Sequence, residues 1–82
     1  MLDKIISKLE ITEREKELFK KLKDNYFISD TLFIKDNNKY NIKIEYKNEN
    51  DYFYTLKLKN KIIYKNKSKK QLINLIKKML EV

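Results

Sequence analysis

Tyr40-Asn41-Ile42-Lys43-Ile44-Glu45-Tyr46-Lys47 alternates apolar and polar side chains without a break, and a period of two marks a strand with one buried face. The even-numbered residues are the ones that seek a core. The same parity recurs in Leu32 and Ile34, in Tyr52, Tyr54, Leu56 and Leu58, and in Ile62 and Tyr64, so up to four strands can share one apolar face. Even residues stay opposite even residues only when the connecting loops hold an odd number of residues. Asp36-Asn37-Asn38, Asn48-Glu49-Asn50 and Lys59-Asn60-Lys61 each supply three. Because the chain has no Gly, Asn is expected at the left-handed turn positions, which its short polar side chain tolerates. The pattern predicts an antiparallel meander beginning near Thr31.

Helical spacing appears on either side of this region. Leu2, Ile5, Ile6 and Leu9 recur at three- and four-residue intervals, and Thr12-Glu13-Arg14-Glu15 forms a capping box ahead of Leu18, Phe19 and Leu22. One helix with a break near Ile11-Thr12, or two helices, is expected. At the other end Ser68-Lys69-Lys70-Gln71 is a second capping box, followed by a wide apolar stripe of Leu72, Ile73, Leu75, Ile76, Met79 and Leu80. The expected architecture is a single α+β domain over residues 1–82. It comprises an N-terminal helix or helix pair, a three- to four-stranded antiparallel meander and a C-terminal amphipathic helix packed on the even sheet face. Tyr40, Tyr46, Tyr52, Tyr54 and Tyr64 read as core residues with hydroxyls at the wet rim.

Composition narrows the chemistry. The chain has no Cys and no His, which removes disulfides, thiolate nucleophiles and the usual neutral-pH base. Ser7, Ser29 and Ser68 have no activating partner in the pattern, and Ser68 is accounted for as a helix N-cap. Asn48-Glu49-Asn50-Asp51 is rich in oxygen but lacks the ligand number and the Gly of a calcium loop. A protein that is not an enzyme, with no cofactor and no metal site, is expected. No apolar run approaches the roughly 18 residues of a membrane span, and Met1-Leu2-Asp3-Lys4-Ile5-Ile6 is no signal-peptide h-region. The sequence reads as an unprocessed, soluble, cytoplasmic protein.

The net charge is +8 and the pI about 9.6. Abundant Lys, Asn, Ile, Tyr and Phe beside absent Gly, Pro, Trp and Cys looks like the product of an AT-rich genome, which inflates Lys for reasons unrelated to a partner. The distribution is therefore more informative than the total. Residues 1–51 carry 11 basic and 11 acidic side chains, whereas residues 52–82 carry nine Lys and the single acid Glu81. Lys57, Lys59, Lys61, Lys65, Lys67, Lys69 and Lys70 crowd into this acid-poor segment. The last two fall in the first turn of the final helix, where the macrodipole disfavours cations, and where backbone N–H groups with flanking ammonium groups suit a phosphate.

These features lead to the expectation of a nucleic-acid-binding protein, for DNA or RNA, gripping the backbone with little base readout. The favoured reader of guanine edges is Arg, and Arg14 is the only one. A candidate partner surface on the odd sheet face comprises Phe33, Lys35, Lys43, Phe53 and Ile63, beside Lys57 and Lys59. That face suits single-strand stacking, or cover by the N-terminal helices or by a second copy in a homodimer. The alternative is a small phage- or plasmid-encoded protein–protein interaction module, such as an inhibitor of the anti-CRISPR type or an adaptor.

Residues 39–82, read as three strands and a helix opened by Lys67-Ser68-Lys69-Lys70, resemble a double-stranded RNA-binding domain. The resemblance implies that Lys67, Lys69 and Lys70 meet phosphates across the major groove. The turn at Asn48 to Asp51 lacks that family's Gly-Pro-x-His, no Gly precedes the lysines, and Leu72, Ile73, Leu75 and Ile76 replace its small Ala residues. The same segment is similar to the arm-binding domain of tyrosine integrases, which implies DNA. Ile11 to Leu18 resembles the opening helix of LuxR-type helix-turn-helix domains, but Tyr26 to Ile34 lacks the rhythm of a recognition helix.

Overall fold

A computed structural model describes residues 2–22, 27–48 and 51–80. The elements are α1 (Leu2–Leu9), α2 (Glu13–Leu22), β1 (Phe27–Lys35), β2 (Asn38–Asn48), β3 (Asp51–Leu58), β4 (Lys61–Asn66) and α3 (Lys69–Leu80). The strands form one antiparallel sheet in the order β1-β2-β3-β4. The architecture is α+β, with the helix pair, the meander and the C-terminal helix that the pattern predicts. The first strand starts four residues earlier than Thr31, and α2 is followed by this strand rather than by a recognition helix.

Capping sets the helix boundaries. At α2, Thr12 N–H donates to Glu15 Oε1 at 3.0 Å while Glu15 N–H donates to Thr12 Oγ1 at 3.2 Å, a closed capping box. At α3, Ser68 Oγ accepts from Gln71 N–H at 3.1 Å, so Ser68 is the N-cap. The helices then bury one face each. Ile5 and Leu9 of α1, and Leu72 and Ile76 of α3, sit one turn apart and are buried against Leu32, Ile42, Ile44, Tyr54 and Leu56 of the sheet. α2 is anchored differently, through the fully buried Phe19. Its ring stacks on Tyr46 at 5.7 Å between centroids and tilts against Tyr52 at 5.6 Å. Thus α1, α2 and α3 all lie on the even face.

Register is kept by a device that the sequence pattern did not reveal. Lys35 pairs with Asn38, Asn48 with Asp51 and Leu58 with Lys61, so each hairpin is closed by two residues and not by three. A two-residue loop puts odd opposite even, and one extra residue per hairpin corrects it: Leu32 in β1, Lys47 in β2 and Ile63 in β4 are bulges. Asp36 and Asn37 both have positive φ, 52° and 63°, as a type I′ turn needs. In the third hairpin Lys59, not Asn60, takes the positive φ of 56°. Glu49 and Asn50 of the second loop, like Tyr26, lie outside the described residues.

The bulges overturn several placements. Beyond Leu32 the parity of β1 inverts, so Phe33 enters the core at 6% exposure and Ile34, expected inside, is 61% exposed. Phe33 stacks on Tyr40 with centroids 4.6 Å apart. Lys35 turns with Phe33 to the covered face and donates to the Met79 carbonyl at the end of α3, where a cation suits the helix dipole. Beyond Ile63, Ile62 faces outward at 50% exposure while Ile63 is the half-buried bulge. Phe33 and Lys35 therefore belong to the covered face and not to an exposed odd face.

Because Phe19 is the fully buried side chain that α2 contributes among the described residues, Phe19→Ala is expected to cost about 3–5 kcal/mol, a large share of the roughly 5–15 kcal/mol typical of a domain. Phe19→Leu is expected to keep most of it. Urea denaturation of the two variants checks this; equal midpoints for wild type and Phe19→Ala contradict the anchoring role.

Candidate nucleic-acid interface

The face opposite the helices is exposed, and register lays it out in rows. Glu45 lies between Phe27 and Phe53; Lys43 lies between Ser29 and Thr55, with Lys65 beyond Thr55; Asn41 lies between Thr31 and Lys57, with Ile62 beyond Lys57; Lys39 lies beside Ile34. The N-terminal helices do not cover this surface. Lys43 and Phe53 are on it, as the odd parity of β2 and β3 predicts. Phe27, Lys39 and Lys65 join them. The alternation contained Lys39 and Lys65, but Phe27 was out of reach because its strand was not recognised.

Two cations rest near aromatic rings there. Lys43 Nζ lies 4.3 Å from the Phe27 centroid and Lys65 Nζ 5.8 Å from that of Phe53, contacts worth about 0.5–1 kcal/mol at exposed sites. Lys43 Nζ also lies 4.0 Å from Glu45 Oε1. Thr55 is the buried polar residue of this face at 3% exposure, and its Oγ1 has no hydrogen-bond partner.

The seven lysines expected to grip phosphate are not one patch. Lys57 and Lys65 point to the open face, while Lys59 and Lys61 sit at the β3–β4 turn. Lys67, Lys69 and Lys70 lie at the other end of β4, about 17 Å away for a strand rising about 3.4 Å per residue. Two of these three have carboxylate partners. Lys67 Nζ is 2.9 Å from Asp51 Oδ2, and Lys69 Nζ is 2.7 Å from Glu10 Oε1. Exposed pairs of this kind contribute only about 0–1 kcal/mol, but they cancel most of the charge that made the α3 N-terminus look like a phosphate cradle. Among the described residues Lys70 has no carboxylate partner there.

Between the α1–α2 junction and the sheet lies a cleft of about 180 Å³ lined by Glu10, Lys16, Tyr52, Tyr54 and Lys69 among others. It is smaller than the roughly 300–1,000 Å³ of small-molecule sites. Among the described residues no three His, Cys, Asp or Glu side chains gather into a metal-binding group, and no helix is long and apolar enough to cross a membrane. Burial raises the Tyr54 phenol above its ordinary 10.0, with the Glu10 carboxylate adding to the shift. Burial likewise raises Tyr52, against the opposing pull of Lys16, and Tyr64, whose hydroxyl donates to the Ser68 carbonyl at 2.6 Å.

No protein-family model matches this chain, and neither does any curated protein or solved structure.

A phenol whose folded pKa exceeds its unfolded value favours folding while both states are protonated and loses that advantage as the unfolded state ionises first. Stability is therefore expected to fall as pH climbs from about 10 through the raised folded values. Tyr54→Phe should flatten part of that decline, read as urea midpoints across the alkaline range. An identical decline in wild type and Tyr54→Phe contradicts the assignment.

Proposed function

We propose that this chain is a non-enzymatic nucleic-acid-binding protein whose contact is led by charge and shape. The observation that carries the reading is the segregation of the two sheet faces. The face opposite the helices carries Lys39, Lys43, Lys57 and Lys65. Its acids among the described residues are Glu45, close to Lys43, and Asp51 at the end of β3, neutralised by Lys67. A surface of this kind gathers a polyanion and exchanges its condensed counterions for ammonium groups. Arg14 is on α2, which packs on the other face through Phe19, so the surface has no Arg fork to read guanine edges. A double-stranded RNA-binding domain would place the contact at the opening of α3. The pairing of Lys67 and Lys69 with Asp51 and Glu10 favours the open sheet instead.

A protein partner is the second reading. It is favoured by the outward apolar side chains of the face, Phe27 at 49%, Ile34 at 61% and Ile62 at 50% exposure, an apolar content that a purely phosphate-binding surface does not need.

Binding followed by fluorescence anisotropy is expected to weaken steeply between about 50 and 200 mM salt, with a log–log slope near −0.7 per phosphate contact for a single strand. Lys57→Gln/Lys65→Gln should reduce the slope by about 1.4 on the same scale. Lys77→Gln/Lys78→Gln, equal in charge change but in the last turn of α3, should leave it unchanged. Equal effects of the two pairs, or an affinity indifferent to salt, contradict the reading.

A further inference from the structure

We propose that the open sheet face is a platform for single-stranded nucleic acid, on which bases stack against Phe27 and Phe53 while Lys43 and Lys65 leave those rings for the flanking phosphates. The inference rests on the nucleic-acid reading and names its substrate class.

Three observations meet on the same rows. Phe27 and Phe53 flank Glu45 in register, so with strands about 4.8 Å apart their backbones stand about 10 Å apart on one surface. Each ring has an ammonium group near it, Lys43 at 4.3 Å and Lys65 at 5.8 Å. In the neighbouring row Lys43 and Lys65 flank Thr55. Thr55, between them, is buried at 3% exposure, and its hydroxyl has no hydrogen-bond partner. A buried hydroxyl without a partner is a standing cost of the unbound arrangement. Moving both lysines outward to phosphate gives up their contacts with the rings, and stacked bases take the place of those contacts. Stacking on an aromatic ring is sequence-tolerant, which agrees with the absence of Arg from this face.

Groove width and charge argue against the major groove of a duplex and against a second copy. Four strands span about 14 Å from first to last, wider than the roughly 12 Å major groove of B-form DNA, while the A-form major groove is narrower still. A second copy docked by a two-fold axis would set the face that carries Lys39, Lys43, Lys57 and Lys65 against an identical face, with Glu45 as the main counter-charge.

The test uses the full chain with labelled oligo-dT and oligo-U of about 16 nucleotides, the upper site size for a single-strand-binding fold, beside duplex DNA and duplex RNA of equal length. Single strands are expected to bind more tightly than either duplex. Phe27→Ala and Phe53→Ala should each weaken single-strand binding about 5- to 150-fold with the salt slope unchanged, and Phe27→Tyr should restore it. Lys43→Gln should lower the slope. Because the chain has no Trp, Phe27→Trp places one indole on the face, and its emission should be quenched by oligo-dT. Salt-dependent binding that ignores Phe27→Ala and Phe53→Ala, prefers a duplex or leaves the indole unquenched overturns the platform while sparing the charge-led reading. Absence of binding to every probe overturns both.

Discussion

Parity is the constraint on which this structure depends. A strand presents alternate residues to opposite faces, so a one-residue slip would send Ile42, Ile44, Tyr54 and Leu56 to solvent and bring Lys43 and Lys57 into the core. Each hairpin here introduces such a slip, because its two closing residues reverse the pairing, and each cancels it with one bulge at Leu32, Lys47 or Ile63. Between the bulges even residues face even residues. Beyond those in β1 and β4, toward the turns, parity is inverted, which is why Phe33 is core while Ile34 and Ile62 are outside.

The sorting of faces leads directly to the placement of the helices. Only the even face offers a continuous apolar surface, so α1 and α3 lay Ile5, Leu9, Leu72 and Ile76 on it, and α2 adds Phe19 to the aromatic end formed by Tyr46 and Tyr52. Polar ties then fix the frame. Lys8 reaches from α1 to the Thr31 carbonyl on the edge strand at 2.8 Å, Lys69 joins the start of α3 to Glu10 beyond α1, and Lys35 closes the end of α3. With all three helices on one side, the odd face keeps its lysines, its two Phe rings and the buried hydroxyl of Thr55.

Much of the fold was legible because its signals are local. Capping boxes at Thr12 and Ser68, apolar spacing in α1 and α3 and alternation in β2 and β3 each lie within a few residues of one another. The bulges were not legible, since an extra residue is defined only by the partner strand, and nothing in Thr31-Leu32-Phe33 announces it. The same limit applies to the charge. Counting along the chain set an acid-poor segment against a neutral one, but Asp51 and Glu10 come from the neutral segment and meet Lys67 and Lys69 through the fold. Lys39 and Lys43, counted as balanced, stand instead beside Lys57 and Lys65 on the open face. Phe27 was missed because Phe27-Ile28-Ser29-Asp30 is an edge segment whose strand character comes from pairing with Glu45 to Ile42.

The central claim is that the protein meets nucleic acid with the sheet face its helices leave open. Nuclear magnetic resonance titration of the labelled protein with a single-stranded oligonucleotide tests this most directly, since each residue reports its own surroundings. The claim predicts that side-chain signals of Phe27, Lys43, Phe53 and Lys65 shift together and saturably, while those of Leu72 and Ile76 on the covered face stay in place. Shifts centred on Ser68 to Gln71, or on the outer surfaces of α1 and α2, would contradict it.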